Sequence, residues 1–182
     1  MTQRADMFVD PDEDPRHEPP GAGGELETLL GFLRWQRETL ELKCSGLDAE
    51  QLARRSVEPS TLSLLGLVRH MADVERWWFR RFMAGEDVPP LYYSAEDRDG
   101  EFNGAVADAR LVTDAWDAWR AEVEYADRFV TEHDLDTIGK RNDHDRGSRS
   151  LRWVLVHMIE EYARHLGHVD LLRERIDGAL GQ

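Results

Sequence analysis

Residues 148–178 read SRSLRWVLVHMIEEYARHLGHVDLLRERIDG, and the winding of this stretch decides the fold. At about 100° per residue, Leu151, Leu155, Met158, Tyr162 and Val169 fall on one apolar stripe. Ser148 or Ser150 stands where an N-cap belongs, and Gly178 closes the pattern near Ile176. Three upstream stretches repeat the pattern. ELETLLGFLRWQRETLELKCSGL places Leu26, Leu29, Leu30, Leu33, Leu40 and Leu42 near helical spacing and meets Gly46, which predicts a first helix over about 25–45. SLLGLVRHMADVERWWFRRFMAGE opens on Ser63 as N-cap, ends near Gly85, and aligns Leu64, Leu67, Val68, Met71, Val74, Trp78 and Phe82. A third helix runs from Asp108 or Asp114 to His133 on Val112, Trp116, Trp119, Val123, Ala126 and Val130.

The segments between these helices are rich in breakers. Residues 86–105, EDVPPLYYSAEDRDGEFNGA, form a long connection between helices 2 and 3, long enough for those helices to lie parallel. Residues 134–147 form a polar loop, and residues 1–24, with Pro11, Pro15, Pro19 and Pro20 among acids, read as a disordered, solvated tail. No stretch alternates like a strand. The expected architecture is all-α, a four-helix bundle over 25–182.

Composition narrows the function. A chain of 182 residues with 41% apolar content, six Trp, six Phe and four Tyr supports one core. The net charge of -14 would repel phosphate backbones and anionic headgroups, which argues against nucleic-acid and membrane partners. Cys44 is the single cysteine, so no internal disulfide and no pair of thiolate ligands exists, as suits a cytoplasmic protein. No apolar run approaches the roughly 20 residues of a membrane span, and the first residues lack a signal-peptide core.

Of seven histidines, His70, His157, His165 and His168 lie on helices 2 and 4. His165 falls within the helix 4 stripe with Glu161 at its edge, one turn away, so the two side chains can converge on one ion. His70 flanks the helix 2 stripe one turn before Val74 and can enter the same groove. A catalytic zinc or nickel takes three such N/O ligands and keeps positions open. The same residues also fit a hydrogen-bonded core cluster or an ion pair with arginine.

The strings LLGLVRHMADVERWWFRRF and LRWVLVHMIEEYARHLGHVDLLRERIDG resemble the two signature helices of the DinB-like metal-binding four-helix-bundle superfamily, over roughly residues 25–178. In that superfamily a His on the second helix and an H-x-x-x-H pair on the fourth hold the metal. The resemblance implies His70, Glu161 and His165 as ligands of one divalent ion, zinc or nickel. Glu161 departs from the commonest pair, and the related mycothiol-dependent maleylpyruvate isomerases look like E-x-x-x-H proteins at this position. The implied activity is metal-dependent activation of water or of a low-molecular-weight thiol such as mycothiol, as a thiol S-transferase, isomerase or hydrolase with a small-molecule substrate. No residue stands out as a catalytic base. The rival readings are a non-enzymatic protein whose helices make a homodimer or a stress-response scaffold, with or without a structural metal, and a small-molecule binding bundle with no metal.

Other residues take plainer expectations. His157 turns from the stripe and ranks as a substitute ligand, while His168 is a pocket wall, a partner to a ligand or solvated. Glu75, odd on an apolar stripe, either orients a ligand His or pairs with Arg34 or Arg164. Asp73 and Arg80-Arg81 read as a solvated face, and Cys44 as inert. Trp77-Trp78, Trp153, Tyr162 and Tyr92-Tyr93 read as packing, with one or two lining a metal pocket, and Asp143, His144 and Asp145 as an exposed loop.

Overall fold

The structure, a computed structural model, describes residues 8–141 and 147–181. Its long helices are α1 (Glu25–Cys44), α3 (Leu64–Glu75), α5 (Ala109–Glu132) and α6 (Leu151–Asp177), with short α2 (Ala49–Ala53) and α4 (Gly100–Asn103) between them. The sequence set the ends through cap chemistry. Ser63, Asp108 and Ser150 accept hydrogen bonds from the backbone N–H groups of Gly66, Arg110 and Trp153, which selects Asp108 over Asp114 and Ser150 over Ser148. Gly178 ends α6 at φ +80°, the left-handed conformation that glycine adopts without steric cost. Among the described residues there is no β-strand, and no helix is long and apolar enough to cross a membrane.

The pairings fix directions. Glu25 pairs with Arg152 and Lys43 with Asp170, so α1 and α6 run parallel. Arg76 pairs with Glu122 while Arg80 stacks on Tyr125, so α3 and α5 also run parallel, and the connection over 84–108 carries the chain back. His70 lies beside His165, Glu75 meets Tyr162 and Trp78 meets His157, so α3 and α6 are antiparallel. Leu33, Leu40, Leu67, Met71, Phe79, Trp119, Met158 and Val169 are buried between them, as their apolar spacing requires.

Two departures from the expected pattern matter. The second helix winds as α only to Glu75 and continues through Arg76–Met83 as a π-helix, in which Ala84 N–H bonds the Phe79 carbonyl five residues back. Residues 8–24 also lie against α1: Arg16 stacks on Trp35 at 4.1 Å and donates to Thr39, and the His17 N–H donates to Glu38. Such cation–π and polar contacts leave no periodic apolar signal in the sequence.

The core contains a polar spine. The Arg37 guanidinium from α1 donates to both Glu75 oxygens on α3 at 2.8 Å and to Asp127 on α5. The Tyr162 hydroxyl on α6 donates to Glu75 at 2.8 Å and accepts from the Trp119 indole on α5. Glu75 therefore pairs with Arg37, not with Arg34 or Arg164. Burial and the Glu75 charge push the Tyr162 hydroxyl well above its ordinary pKa, so it stays a donor. Arg37→Ala would strand the Glu75 carboxylate in the core and is expected to cost about 3–5 kcal/mol in denaturant unfolding.

Cys44 is buried, and burial pushes its thiol up to about 12. At pH 8 the native protein should react with a thiol reagent far more slowly than the unfolded chain, and the native rate should rise with pH well above 8.

Candidate functional site

Two side chains of α3 fold the long connection onto the helix. The Asp73 carboxylate accepts from the Leu91 and Tyr92 N–H groups at 2.7 and 2.9 Å. Arg69 donates to the Glu101 and Gly100 carbonyls at 2.9 and 3.0 Å and stacks on the Tyr92 ring. Asp73 is thus buried, not solvated, and burial raises its pKa against the opposing effect of the two N–H donors. At Gly100 a Cβ would collide with the Tyr92 carbonyl, so only glycine lets the turn close this tightly. These ties put Glu101 and Tyr93 beside His70.

The result is a cavity of about 250 Å³ between α3, α6 and the connection, lined by His70, Trp77, Trp78, Tyr93, Glu101, His157 and Glu161. The His70 and His165 rings meet edge to face with centroids 4.7 Å apart. Glu161 lies between two imidazoles of its own helix, with Oε2 3.7 Å from His165 Nε2 and Oε1 3.7 Å from His157 Nε2. His165 is held at about 4 by burial first, then by the neighbouring His70 and His168, so its ring is neutral near pH 7. His168 Nδ1 stands 3.4 Å from His165 Nδ1, a neighbour of the candidate ligand. The structure therefore sets His165 beside His70 and beside Glu161, and it places His157, which the helical wheel had turned away, on the other side of Glu161. The ring of His157 stacks on Trp153 and meets Trp78 edge-on.

Glu101 was hidden from sequence reasoning inside a run of breakers. Its Oε1 lies 3.3 Å from His70 Nδ1, and its Oε2 is buried without a partner. The available signal was a glutamate and a phenylalanine held between Gly100 and Gly104 in an otherwise polar stretch. Trp77 and Trp78, both in the π-helical segment, stand on the cavity wall. Arg80 is also not solvated, because it pairs with the buried Glu122. Asp143, His144 and Asp145 lie outside the described residues.

The donor chemistry fits a divalent ion of borderline softness: two imidazoles, one carboxylate, and an unpartnered buried carboxylate oxygen beside them. Two ligand atoms on one tetrahedral zinc stand about 3.3 Å apart, close to the 3.7 Å between Glu161 and His165. Among the described residues, no three His, Cys, Asp or Glu side chains stand close enough to one another to hold a metal ion. A larger groove of about 490 Å³ between α1 and α5 is lined by no histidine among the described residues, and its Arg34, Arg37 and Arg120 are already paired with acids.

The family model described as Mycothiol-S-transferase matches residues 28–178, and the chain belongs to that family. No curated protein matches the chain.

Glu101→Gln keeps the shape of the side chain but removes the charged acceptor at His70 Nδ1. Its expected signature is a redistribution of the His70 tautomers in imidazole 15N spectra, with little change in melting temperature. An unchanged His70 spectrum would show that Glu101 does not orient this ring.

Proposed function

We propose that this mycothiol S-transferase family member joins the sulfur of a low-molecular-weight thiol to an electrophilic carbon, with one divalent ion, zinc or nickel, held by His70, Glu161 and His165 in a DinB-like four-helix bundle. The observation that carries this reading is the meeting of His70 from α3 and His165 from α6 at 4.7 Å, with Glu161 3.7 Å from His165, in a chain the family model spans from 28 to 178. When bound, the ion supplies positive charge that lowers the pKa of a thiol or water next to it.

The chain's own groups have separate tasks. Glu101 holds a proton on His70 Nδ1 and so leaves Nε2 as the ligand atom. His165 needs no deprotonation at neutral pH to offer its lone pair. Trp77 and Trp78 wall the cavity and exclude water from the sulfur. His157, clasped by Trp78 and Trp153, accepts the thiol proton at Nε2. The sulfur then forms the new S–C bond, the leaving group departs with the electron pair of the bond it breaks, and His157 returns the proton to it.

Ligand nitrogens bind metal only when unprotonated, so metal should be lost as the protein is acidified. His165→Ala should abolish stoichiometric metal and Glu161→Ala should weaken binding, whereas His157→Ala should keep the metal and lose transfer of mycothiol to an electrophile. If metal stays at one per chain in the first two variants and is lost in His157→Ala, the ligand set is wrong and the mechanism loses its site.

A further inference from the structure

Beyond Tyr93, which walls the histidine cavity on one side, lies a second opening of about 740 Å³ that shares this residue. Its walls are Arg81, Pro89, Pro90, Tyr93, Ser94 and Arg98, with Ala95, and among the described residues no carboxylate lines it. In a chain with 37 acids and a net charge of -14, a cavity with two guanidinium groups and no acid is a local reversal of sign.

The contrast within one helix sharpens the point. Arg76 and Arg80 are held by the buried Glu122, at 2.7 and 2.5 Å. Arg81, on the next residue, has no carboxylate partner among the described residues; Arg98 has none either. Arg81 lies over the Trp77 ring at 4.6 Å, its Nη1 donates to the Tyr93 hydroxyl at 3.3 Å, and its Nε is buried with no acceptor. Burying an N–H without an acceptor is costly, and a charged one more so. Arg141 stacks on the same indole and adds positive charge. Of the acids close to the opening in sequence, Asp73 holds the Leu91 and Tyr92 N–H groups and Asp97 accepts from Asn103 and the Asp99 N–H, while Glu96 and Asp99 are exposed and do not line the opening.

The geometry points to an oxyanion subsite, in which Arg81 and Arg98 bind the carboxylate of the electrophilic co-substrate while its reacting carbon reaches past Tyr93 into the histidine cavity. A flat two-oxygen anion matches the fork of a guanidinium and meets no carboxylate among the described residues of the wall. The substrate assignment rests on the reading that thiol transfer occurs in the adjoining cavity, whereas binding of the anion there needs neither thiol nor transfer.

The test titrates purified full-length protein with succinate, followed by calorimetry and by the arginine Nε–H signals in 15N spectra, beside inorganic phosphate and neutral succinamide. Saturable succinate binding is expected, with a shift of the Arg81 Nε–H signal, weakening as salt is raised. Succinamide should not bind. Arg81→Gln and, independently, the exposed Arg98→Gln should each weaken succinate at least tenfold, while Arg175→Gln on the far end of α6 should not. The second variant keeps the test decisive if loss of the Trp77 stack unfolds the first. Absent saturation, equal binding by both cavity variants, or binding of phosphate in place of succinate would overturn the assignment. Metal content measured on the same samples separates the outcomes: normal metal without succinate binding removes the subsite alone, and succinate binding in protein whose metal is independent of His165 removes the thiol-transfer reading alone.

Discussion

A single buried ion pair sets the geometry from which the site follows. Arg37 and Glu75 meet at 2.8 Å inside the protein, and through Tyr162, Trp119 and Asp127 the pair reaches all four long helices. Buried charges of this kind contribute little net stability over apolar packing, but they tolerate few alternative arrangements because every donor must find its acceptor. Tyr162 is the key contact. Tying it to Glu75 fixes the rotation of α6 about its axis, and Glu161, one residue earlier and about 100° around, is thereby turned toward α3. His165, three residues after Tyr162, follows onto the same side and faces His70.

The long helices were legible because their signals are local and periodic. Ser63, Asp108 and Ser150 mark starts, Gly178 marks an end, and leucines and tryptophans at helical spacing mark the buried faces. His70, Glu161 and His165 could be picked out together for the same reason, since each lies on or beside an apolar stripe. The short helices α2 and α4 and the roles of Arg69 and Asp73 depend on contacts between distant segments, for which a single sequence carries no spacing rule. Glu75 shows the limit most plainly: its place on an apolar stripe announced a partner, but Arg37 is a whole helix away in sequence and was not the arginine chosen.

His157 shows a related limit. A wheel drawn for a lone helix measures direction from the apolar stripe of that helix, whereas a site takes its shape from what stands opposite. Trp78, within the π-helical turns of Arg76–Met83, meets the His157 ring edge-on, and an imidazole that points away from the stripe of its own helix is thereby a cavity wall. Such a change in winding follows from the packing of the whole and cannot be read from the apolar repeat, which Trp78 and Phe82 satisfy as an ordinary α-helix.

The connection over residues 84–108 leaves α3 for α5 without taking part in the polar spine, and it is fastened to α3 at few points, chiefly through Asp73 and Arg69. It nevertheless supplies Tyr93, Arg98 and Glu101, while the imidazoles and Glu161 come from the helices. In the function proposed above, the reactive centre and the surface that selects its partner molecule are thus built from parts with different tolerance for change. Mutational drift in the helices is constrained by packing on every side, but the connection can lengthen, shorten or exchange side chains at the cost of its few fastenings. Chains of this architecture can therefore change the side chains of the connection while the imidazoles and Glu161 on the helices stay fixed.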